Sequence, residues 1–293
     1  MSFPRKREST YKIMDIYGVI GWPIKHSLSP AMHNAAFKEL GIDAEYRLFE
    51  IPPEKLEDFI LNRKDVIGFN VTIPHKVRAK EILEKNFPLA VSDIRVTLSG
   101  ALNTVRREND KLEYINTDVL GFFTSLKEDL KFNHINKNAL LIGCGGAGRG
   151  VIAGLCAISN KIYVYDKSSE TMEIAREFFK LFPEAARGLD FISEGKIPEV
   201  IKDCHLLVNT SPVGMKEGDF SPIDKKLLHK NLSVYDVIYN RKTQLIKDAE
   251  SLGLPSANGL GMFLHQGCHA FEFWTGKKAP IDVMKTALQK ALS

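Results

Sequence analysis

Apolar and polar positions along the first third of the chain follow the order expected of strands alternating with helices. Short apolar runs predict strands, and stretches with apolar residues three or four positions apart predict helices. The predicted elements are strands at 16–21, 45–50 and 66–71, and helices at 29–40, at 53–62 and from His75 onward. Two further runs at 102–107 and 112–115, joined by a polar turn at Asn109-Asp110, predict a hairpin. This order favours a layered α/β structure over a helical bundle.

The first predicted helix carries signals at both ends. Ser29 fits the N-cap, Pro30 fits the first helical position, and Gly41 fits the stop after the last turn. Ser27 and Ser29 therefore offer hydroxyl groups at a helix N-terminus, where a carboxylate is favoured. The alternative is that Ser29 acts only as a helix cap.

A second α/β pattern begins near Asn138. Its predicted strands lie at 139–142, 161–165, 205–208 and 233–237, with a helix that runs to about Ile158. Helices are also predicted at 260–274 and 281–292, and a helix beginning near Asp118 connects the two patterns.

The segment GCGGAG follows the first strand of this second pattern. Gly143, Gly145 and Gly148 have the spacing G-x-G-x-x-G, and Gly146 and Ala147 complete the turn into the helix. Glycines let the backbone approach a pyrophosphate, and the helix N-terminus supplies amide donors. The segment predicts a Rossmann-type dinucleotide site, with a purely structural tight turn as the alternative.

Asp166 lies 23 positions after Gly143, where the next predicted strand ends. An acid at this position bonds the adenosine ribose hydroxyls of NAD and repels the 2′-phosphate of NADP. Asp166 therefore favours NAD, although the adjacent Lys167 would soften the repulsion. The alternative is that Asp166 is a helix cap or a solvated turn residue.

Composition and charge limit the classes of partner that the sequence predicts. The 293 residues include 44% hydrophobic and 26% charged residues and carry a net charge of +4, which indicates a globular enzyme and gives no reason to expect a nucleic-acid partner. No apolar run approaches the roughly 18 residues that a membrane span requires. The cysteines form no C-x-x-C pair, so we expect reduced thiols, no metal site and a cytoplasmic location.

Several motifs together identify a family. HSLSP at 26–30, NVTIPHK at 70–76, GALNT at 100–104 and NTD at 116–118 are followed by NTSPVGM at 209–215, DVIYN at 236–240 and NGLGMFLHQG at 258–267. In this order the chain resembles the shikimate dehydrogenase family, including its quinate/shikimate members. The resemblance implies reversible, NAD(P)-dependent reduction of 3-dehydroshikimate to shikimate, a step toward the aromatic amino acids. It also implies that 1–117 and 259–293 form an α/β substrate domain, that 118–258 form the Rossmann domain, and that the C-terminal helices return to the substrate domain.

The resemblance also implies roles for individual residues. Lys76 and Asp118 look like the catalytic pair. The residues that resemble substrate ligands are Ser27, Ser29 and Tyr239 for the carboxylate and Asn70, Thr72, Asn103 and Gln266 for the hydroxyl groups. The residues that resemble the cofactor side of the cleft are Met262 near the nicotinamide, and Asn209, Thr210 and Gly259 at the cleft edge.

Alternatives remain open at this point. Asp166-Lys167-Ser168 stands where many NADP-using members have Asn-Arg-Thr, so an NAD-preferring quinate/shikimate dehydrogenase is one alternative. A non-catalytic sensor domain of the same fold is a remote one, because such a protein is expected to lose Lys76 or Asp118. Lys76 either transfers the proton or stabilises the alkoxide charge. A monomer and a homodimer are both compatible with the sequence.

Overall fold

Strands and helices alternate throughout the computed structural model, which describes residues 14–87, 91–108, 111–133, 135–156 and 159–292. The elements of the first part are β1 (Asp15–Gly21), α1 (Ser29–Glu39), β2 (Ala44–Glu50), α2 (Leu56–Asn62), β3 (Val66–Val71), α3 (Lys76–Asn86), β4 (Val91–Ser92), α4 (Ile94–Ser99), β5 (Thr104–Glu108), β6 (Lys111–Ile115) and α5 (Thr117–Glu128). The elements of the second part are β7 (Asn138–Ile142), α6 (Gly146–Cys156), β8 (Lys161–Tyr165), α7 (Ser169–Lys180), β9 (Leu189–Phe191), α8 (Ile197–Val200), β10 (Leu206–Asn209), β11 (Ser233–Asp236), α9 (Gln244–Ser251), β12 (Ser256–Asn258), α10 (Leu260–Thr275) and α11 (Ile281–Leu292).

The first sheet contains six strands among the described residues, in the order β2-β1-β3-β5-β6-β4. Strand β1 pairs in parallel with β2 and β3, whereas β5 runs antiparallel to β3 and β6. The register places Asn70 opposite Thr104, and Thr104 opposite Ile115. The polar residues that end β3 and flank β5 and β6 therefore meet at one edge of this sheet.

The second sheet is parallel throughout the described residues, in the order β12-β11-β10-β7-β8-β9. This is the order of the doubly wound dinucleotide-binding fold, whose switch point lies between β7 and β10. Ile142 pairs with both Tyr165 and Asn209, so the carboxyl ends of three strands are level. The glycine segment, Asp166 and Thr210 consequently share one edge.

Helices cover both faces of each sheet. Apolar residues of α5, α6 and α7 form the core on one face of the second sheet, and those of α8 and α9 form it on the other. On the first sheet, α2 and α3 pack on one face while α1, α10 and α11 pack on the other. The prediction that the C-terminal helices return to the first α/β unit is confirmed, because Phe271 and Met284 lie in the same core as Tyr17 and Phe37.

Most predicted elements are confirmed to within two residues, with informative exceptions. The predicted helix at 53–62 begins with a 3-10 turn at Pro53–Lys55. Strands β4, β9 and β12 and helices α4, α7, α8 and α9 are not among the predicted elements. Helix α4 is capped by Asp93, whose Oδ1 accepts a hydrogen bond from the Arg95 amide at 2.7 Å, and it packs on α6 of the other sheet. The predicted turn at 109–110 and the predicted helix end at 157–158 lie outside the described residues.

Candidate active site

Two charged side chains meet where α3 and α5 begin. Lys76 is the first residue of α3 and Asp118 is the second residue of α5. The Lys76 Nζ atom donates to Asp118 Oδ2 at 2.5 Å, and the two side chains are 26% and 22% exposed. The pair that the sequence predicts is therefore assembled across 42 residues of chain, in a position that solvent-borne molecules can reach.

Asn103 holds the carboxylate of this pair from the other side. Its Nδ2 donates to Asp118 Oδ1 at 2.8 Å and to Thr117 Oγ1 at 2.9 Å, and its Oδ1 accepts from the Thr117 amide at 2.7 Å. Asn116 caps α5 by accepting hydrogen bonds from the amides of Asp118 and Val119. Because both hydrogens of its amide are donated within the protein, Asn103 orients Asp118 in this structure, and its predicted bond to substrate stays a prediction.

The two serines lie at the start of α1, but not in the expected capping arrangement. The helix begins at Ser29, its N-cap is Leu28, and no side chain caps it. The prediction that Ser29 is the N-cap with Pro30 in the first position is wrong by one residue. Ser27 Oγ instead accepts a hydrogen bond from the Ser29 amide at 3.3 Å. The Ser29 hydroxyl is therefore not used as a helix cap.

Asn70 and Thr72 lie at the carboxyl end of β3, next to the pair. Asn70 is buried and is the last residue but one of β3. Thr72 is half-buried and comes directly after the strand. Asn70 Oδ1 accepts a hydrogen bond from the Tyr46 hydroxyl at 2.7 Å, a contact that sequence reasoning did not anticipate. Tyr46 gave no sequence signal because it reads as an ordinary apolar position of a strand.

Helix α10 brings the C-terminal candidates to α5. A Cβ at Gly121 of α5 would lie 2.6 Å from the Met262 carbonyl oxygen and 2.7 Å from the Gln266 amide nitrogen, so the two helices touch through backbone. Gln266 is buried and its Nε2 donates to the Phe263 carbonyl. Met262 packs against the core of the second sheet. These two residues therefore lie where the two sheets approach each other.

Tyr239 and Gly259 lie beside the start of α10. The Tyr239 ring stacks on Phe263 with 4.8 Å between ring centroids, and burial raises the pKa of Tyr239. Gly259 is buried against the residue that follows β11, since a Cβ there would lie 2.0 Å from the Val237 carbonyl oxygen. The predicted role of Tyr239 on the substrate carboxylate and the predicted place of Gly259 at the cofactor edge stay predictions.

The glycine turn, residues 143–148, has one crowded side and one open side. Gly143 has φ +96°, and a Cβ there would lie 2.6 Å from the Ser211 amide nitrogen. A Cβ at Gly148 would lie 2.3 Å from the Gly143 carbonyl oxygen. Around Gly145 and Gly146, by contrast, a Cβ would meet nothing within 4 Å, and α6 begins at Gly146. The open side, with the helix N-terminus behind it, fits a pyrophosphate.

Asp166 is attached to the glycine turn. Its Oδ2 accepts a hydrogen bond from the Cys144 amide at 2.9 Å, and its Oδ1 accepts one from the Ser168 amide at 2.9 Å. Ser168, and not Asp166, caps α7 by accepting from the Thr171 amide. The carboxylate is thus fixed at the end of β8 beside the turn, with lone pairs remaining on both oxygens.

Asn209 is the last residue of β10, and Thr210 follows it next to the glycine turn. The Thr210 hydroxyl donates to the Gly143 carbonyl at 2.5 Å. Asn209 is fully buried, and its amide donates to Asp236 Oδ1 at 3.0 Å and to the Val213 carbonyl at 3.1 Å. Burial raises the pKa of Asp236, against the effect of a hydrogen bond from Thr243. In this structure the Asn209 side chain orders the loop after β10.

The cysteines are reduced thiols in this structure. The four cysteines are free, and burial raises the pKa of each thiol to about 12. Within the described ranges, no group of three or more histidine, cysteine, aspartate or glutamate side chains is arranged to hold a metal ion. In the same part of the chain, no helix is both long enough and apolar enough to cross a bilayer.

The sequence is similar to those of known proteins along most of its length. Residues 19–105 match the family model of the shikimate dehydrogenase substrate-binding domain, and residues 259–289 match that of the shikimate 5′-dehydrogenase C-terminal domain. The shikimate dehydrogenase (NADP(+)) of Methanopyrus kandleri is 37% identical over 285 residues, which cover 95% of this chain and 96% of that protein.

Solved structures agree with this likeness. A crystal structure of a shikimate dehydrogenase in complex with NADP⁺ has a TM-score of 0.84 and 32% identity, and the match covers 96% of each chain. The shikimate 5-dehydrogenase of Listeria monocytogenes, in complex with shikimate and NAD, has a TM-score of 0.84 and 31% identity over 97% of this chain and 99% of that one. Relatives above 30% identity therefore span nearly the whole sequence, and the chain belongs to the shikimate dehydrogenase family of oxidoreductases.

Proposed function

We propose that this protein interconverts shikimate and 3-dehydroshikimate with a nicotinamide dinucleotide as the hydride partner. The observation that carries the proposal is the Lys76–Asp118 ion pair, held at 2.5 Å and partly exposed, beside the buried polar cluster around Asn103. Oxidation of a hydroxyl needs a group that takes its proton, and reduction needs one that returns it. When bound, the dinucleotide accepts or supplies the hydride at its nicotinamide ring.

Residues of the chain would handle the proton and the charge at the reacting oxygen. Lys76 Nζ would hold or move the proton at the reacting oxygen, and Asp118 would fix the ammonium and share its proton. A charged Lys76 that only stabilises the developing alkoxide is the second form of this mechanism.

The proposed substrate contacts follow the polar clusters. Ser27 and Ser29, at the N-terminus of α1, would bind the carboxylate together with Tyr239. The side chains proposed to bind hydroxyl groups are Asn70, Thr72, Asn103 and Gln266. A pocket of paired donors and acceptors discriminates strongly against molecules that lack one hydroxyl.

We propose that residues 1–117 with 259–293 bind the substrate and that residues 118–258 bind the dinucleotide. The fit of the second unit is supported by the open side of the glycine turn, where Gly145 and Gly146 leave space in front of the α6 N-terminus. Asp166 supports NAD as the preferred dinucleotide, because its carboxylate is fixed beside the turn and would repel a 2′-phosphate. A cytoplasmic location is part of the proposal, and the free thiols are compatible with it. Both a monomer and a homodimer remain compatible with it.

The test is an assay of the purified protein with shikimate and with quinate, each with NAD⁺ and NADP⁺, followed by the absorbance of the reduced dinucleotide. We expect turnover of shikimate, with the higher kcat/KM for NAD⁺. Faster turnover of quinate than of shikimate would favour the quinate alternative. Absence of turnover with every combination would contradict the proposed function and favour a sensor of the same fold.

A further inference from the structure

Tyr46 is the buried position of β2, and several contacts fix it. Its ring stacks on His33 with 4.4 Å between centroids and a 12° interplanar angle, and it also packs against Trp274. Its backbone is fixed on both sides by Asn34, whose Oδ1 accepts from the Tyr46 amide at 2.7 Å and whose Nδ2 donates to the Tyr46 carbonyl at 3.0 Å. The direction of the Tyr46 hydroxyl is therefore set by the protein before any ligand arrives.

The partner of this hydroxyl is the Asn70 amide, and its orientation is unambiguous. One terminal atom of Asn70 lies 3.2 Å from the Asn103 carbonyl oxygen, which can only accept a hydrogen bond, so this atom is Nδ2. The same Nδ2 donates its second hydrogen to Thr104 Oγ1 at 3.0 Å. The other terminal atom is therefore Oδ1, and the Tyr46 hydroxyl donates to it at 2.7 Å, the shortest of the three bonds.

This arrangement leaves Asn70 with one function toward the pocket. Both hydrogens of Nδ2 are donated to the protein, and one lone pair of Oδ1 accepts from Tyr46. The remaining capacity is a single lone pair on Oδ1. Asn70 can therefore accept a hydrogen bond from a substrate hydroxyl, but it cannot donate one without breaking a bond that already exists.

Burial raises the pKa of Tyr46 well above its ordinary value. The phenol therefore keeps its proton and remains the donor to Asn70 Oδ1.

We propose that Tyr46 is a positioning residue of the substrate pocket: it orients Asn70 as an acceptor for one ring hydroxyl. The inference rests on the proposed function and deepens it. It identifies the required substrate chemistry as a ring hydroxyl that donates a hydrogen bond to Asn70 Oδ1.

The test compares Tyr46→Phe with the matched control Tyr17→Phe. Phenylalanine keeps the ring that packs on His33 and removes only the hydroxyl, and Tyr17 is a buried tyrosine of the same core that contacts Phe37 and Trp274. We expect Tyr46→Phe to raise the KM for shikimate about five- to tenfold, the usual net effect of one lost hydrogen bond, with a smaller change in kcat. The KM for the dinucleotide should not change, and Tyr17→Phe should leave both KM values unchanged.

A double-mutant cycle separates positioning from general loosening of the fold. In an Asn70→Ala background, Tyr46→Phe should have no further effect on KM, because the residue through which it acts is gone. Equal effects of Tyr46→Phe in both backgrounds, or no change in the KM for shikimate, would overturn the inference. A wild-type protein that does not turn over shikimate would overturn the proposed function first, and the inference with it.

Shikimate analogues provide a second measurement, made first on the unmodified protein and then on Tyr46→Phe. Among shikimate analogues that each lack one ring hydroxyl, one analogue should lose about as much affinity as Tyr46→Phe does, and for that analogue alone the substitution should have no effect. If every analogue binds as well as shikimate, Asn70 does not act as an acceptor and the inference is wrong.

Discussion

The glycine turn and the proposed substrate pocket are built in opposite ways. The turn is six consecutive residues whose function lies in backbone shape, with a crowded side at Gly143 and Gly148 and an open side at Gly145 and Gly146. The pocket is a set of side chains from separate elements, joined by hydrogen bonds such as those from Asn103 to Asp118 and from Tyr46 to Asn70. Substitutions that add atoms should therefore impair the turn, whereas substitutions that remove charges or hydrogen-bond donors should impair the proposed pocket.

The largest expected effect follows from breaking the pocket at its ion pair. Lys76→Ala removes the ammonium that faces Asp118, and we expect kcat to fall by about 10²- to 10⁴-fold with a much smaller rise in the KM for shikimate. The control is Lys80→Ala on the same helix, where Lys80 pairs with the exposed Glu84. Steady-state kinetics decide the matter, and an unchanged kcat in Lys76→Ala would rule out a catalytic role.

The matching experiment on the turn adds a single methyl group. Gly148→Ala places a Cβ 2.3 Å from a backbone oxygen, so we expect a loss of about 3 kcal/mol in the free energy of unfolding. Gly145→Ala places its Cβ in open space, so stability should change by less than about 0.5 kcal/mol while the KM for the dinucleotide rises. Denaturant unfolding and kinetics measure the two effects. Equal destabilisation by both substitutions would contradict the two-sided description of the turn.

A pH-dependent effect on stability is expected at His33 in helix α1. His33 is fully buried, both ring nitrogens are without hydrogen-bond partners, and burial lowers its pKa from 6.5 to about 3. The unfolded chain therefore binds a proton here below about pH 6.5 while the folded protein does not, so stability falls as the pH falls. Between pH 7 and pH 5 we expect this residue to account for about 2 kcal/mol of lost stability.

The measurement is the free energy of unfolding of His33→Phe at both pH values, relative to wild type. The variant should lose about 2 kcal/mol less than wild type over this interval, whatever the packing cost of the larger ring. Met32→Leu, in the same helix and core but without a titratable group, should keep the wild-type pH dependence. An identical pH dependence of His33→Phe and wild type would show that folding does not change the pKa of His33, contrary to the effect expected of its burial.

The smallest effect concerns the choice of dinucleotide. Asp166→Asn removes the negative charge beside the turn and keeps an oxygen that can accept one amide hydrogen bond. We expect the ratio of kcat/KM for NADP⁺ to that for NAD⁺ to rise about tenfold, the scale of one screened charge interaction. Asp190→Asn, a half-exposed carboxylate on the neighbouring β9, is the control and should leave the ratio unchanged. No change for Asp166→Asn would place dinucleotide selection elsewhere.

Sequence patterns predicted features that depend on a few adjacent residues well, and contacts between distant segments of the chain poorly. The strand, glycine turn and helix at 138–156 are readable because glycine spacing and apolar periodicity act over a few residues. Helix α4 was missed because it is only six residues long and packs on α6 of the other sheet. Ser29 was misplaced by one position because N-cap preferences favour serine over leucine, whereas in this structure Leu28 occupies the N-cap and no side chain caps the helix.

The sequence by itself determined the alternation of strands and helices, the glycine turn and the acid that follows it, because these depend on residues close together in the chain. Only the tertiary structure decided that Lys76 meets Asp118, that Asn103 uses both of its amide hydrogens within the protein, and that Tyr46 contacts Asn70. The physical reason is that a hydrogen bond has a direction and a length of about 3 Å. Residue types and spacings specify neither quantity until the sheets bring distant segments together.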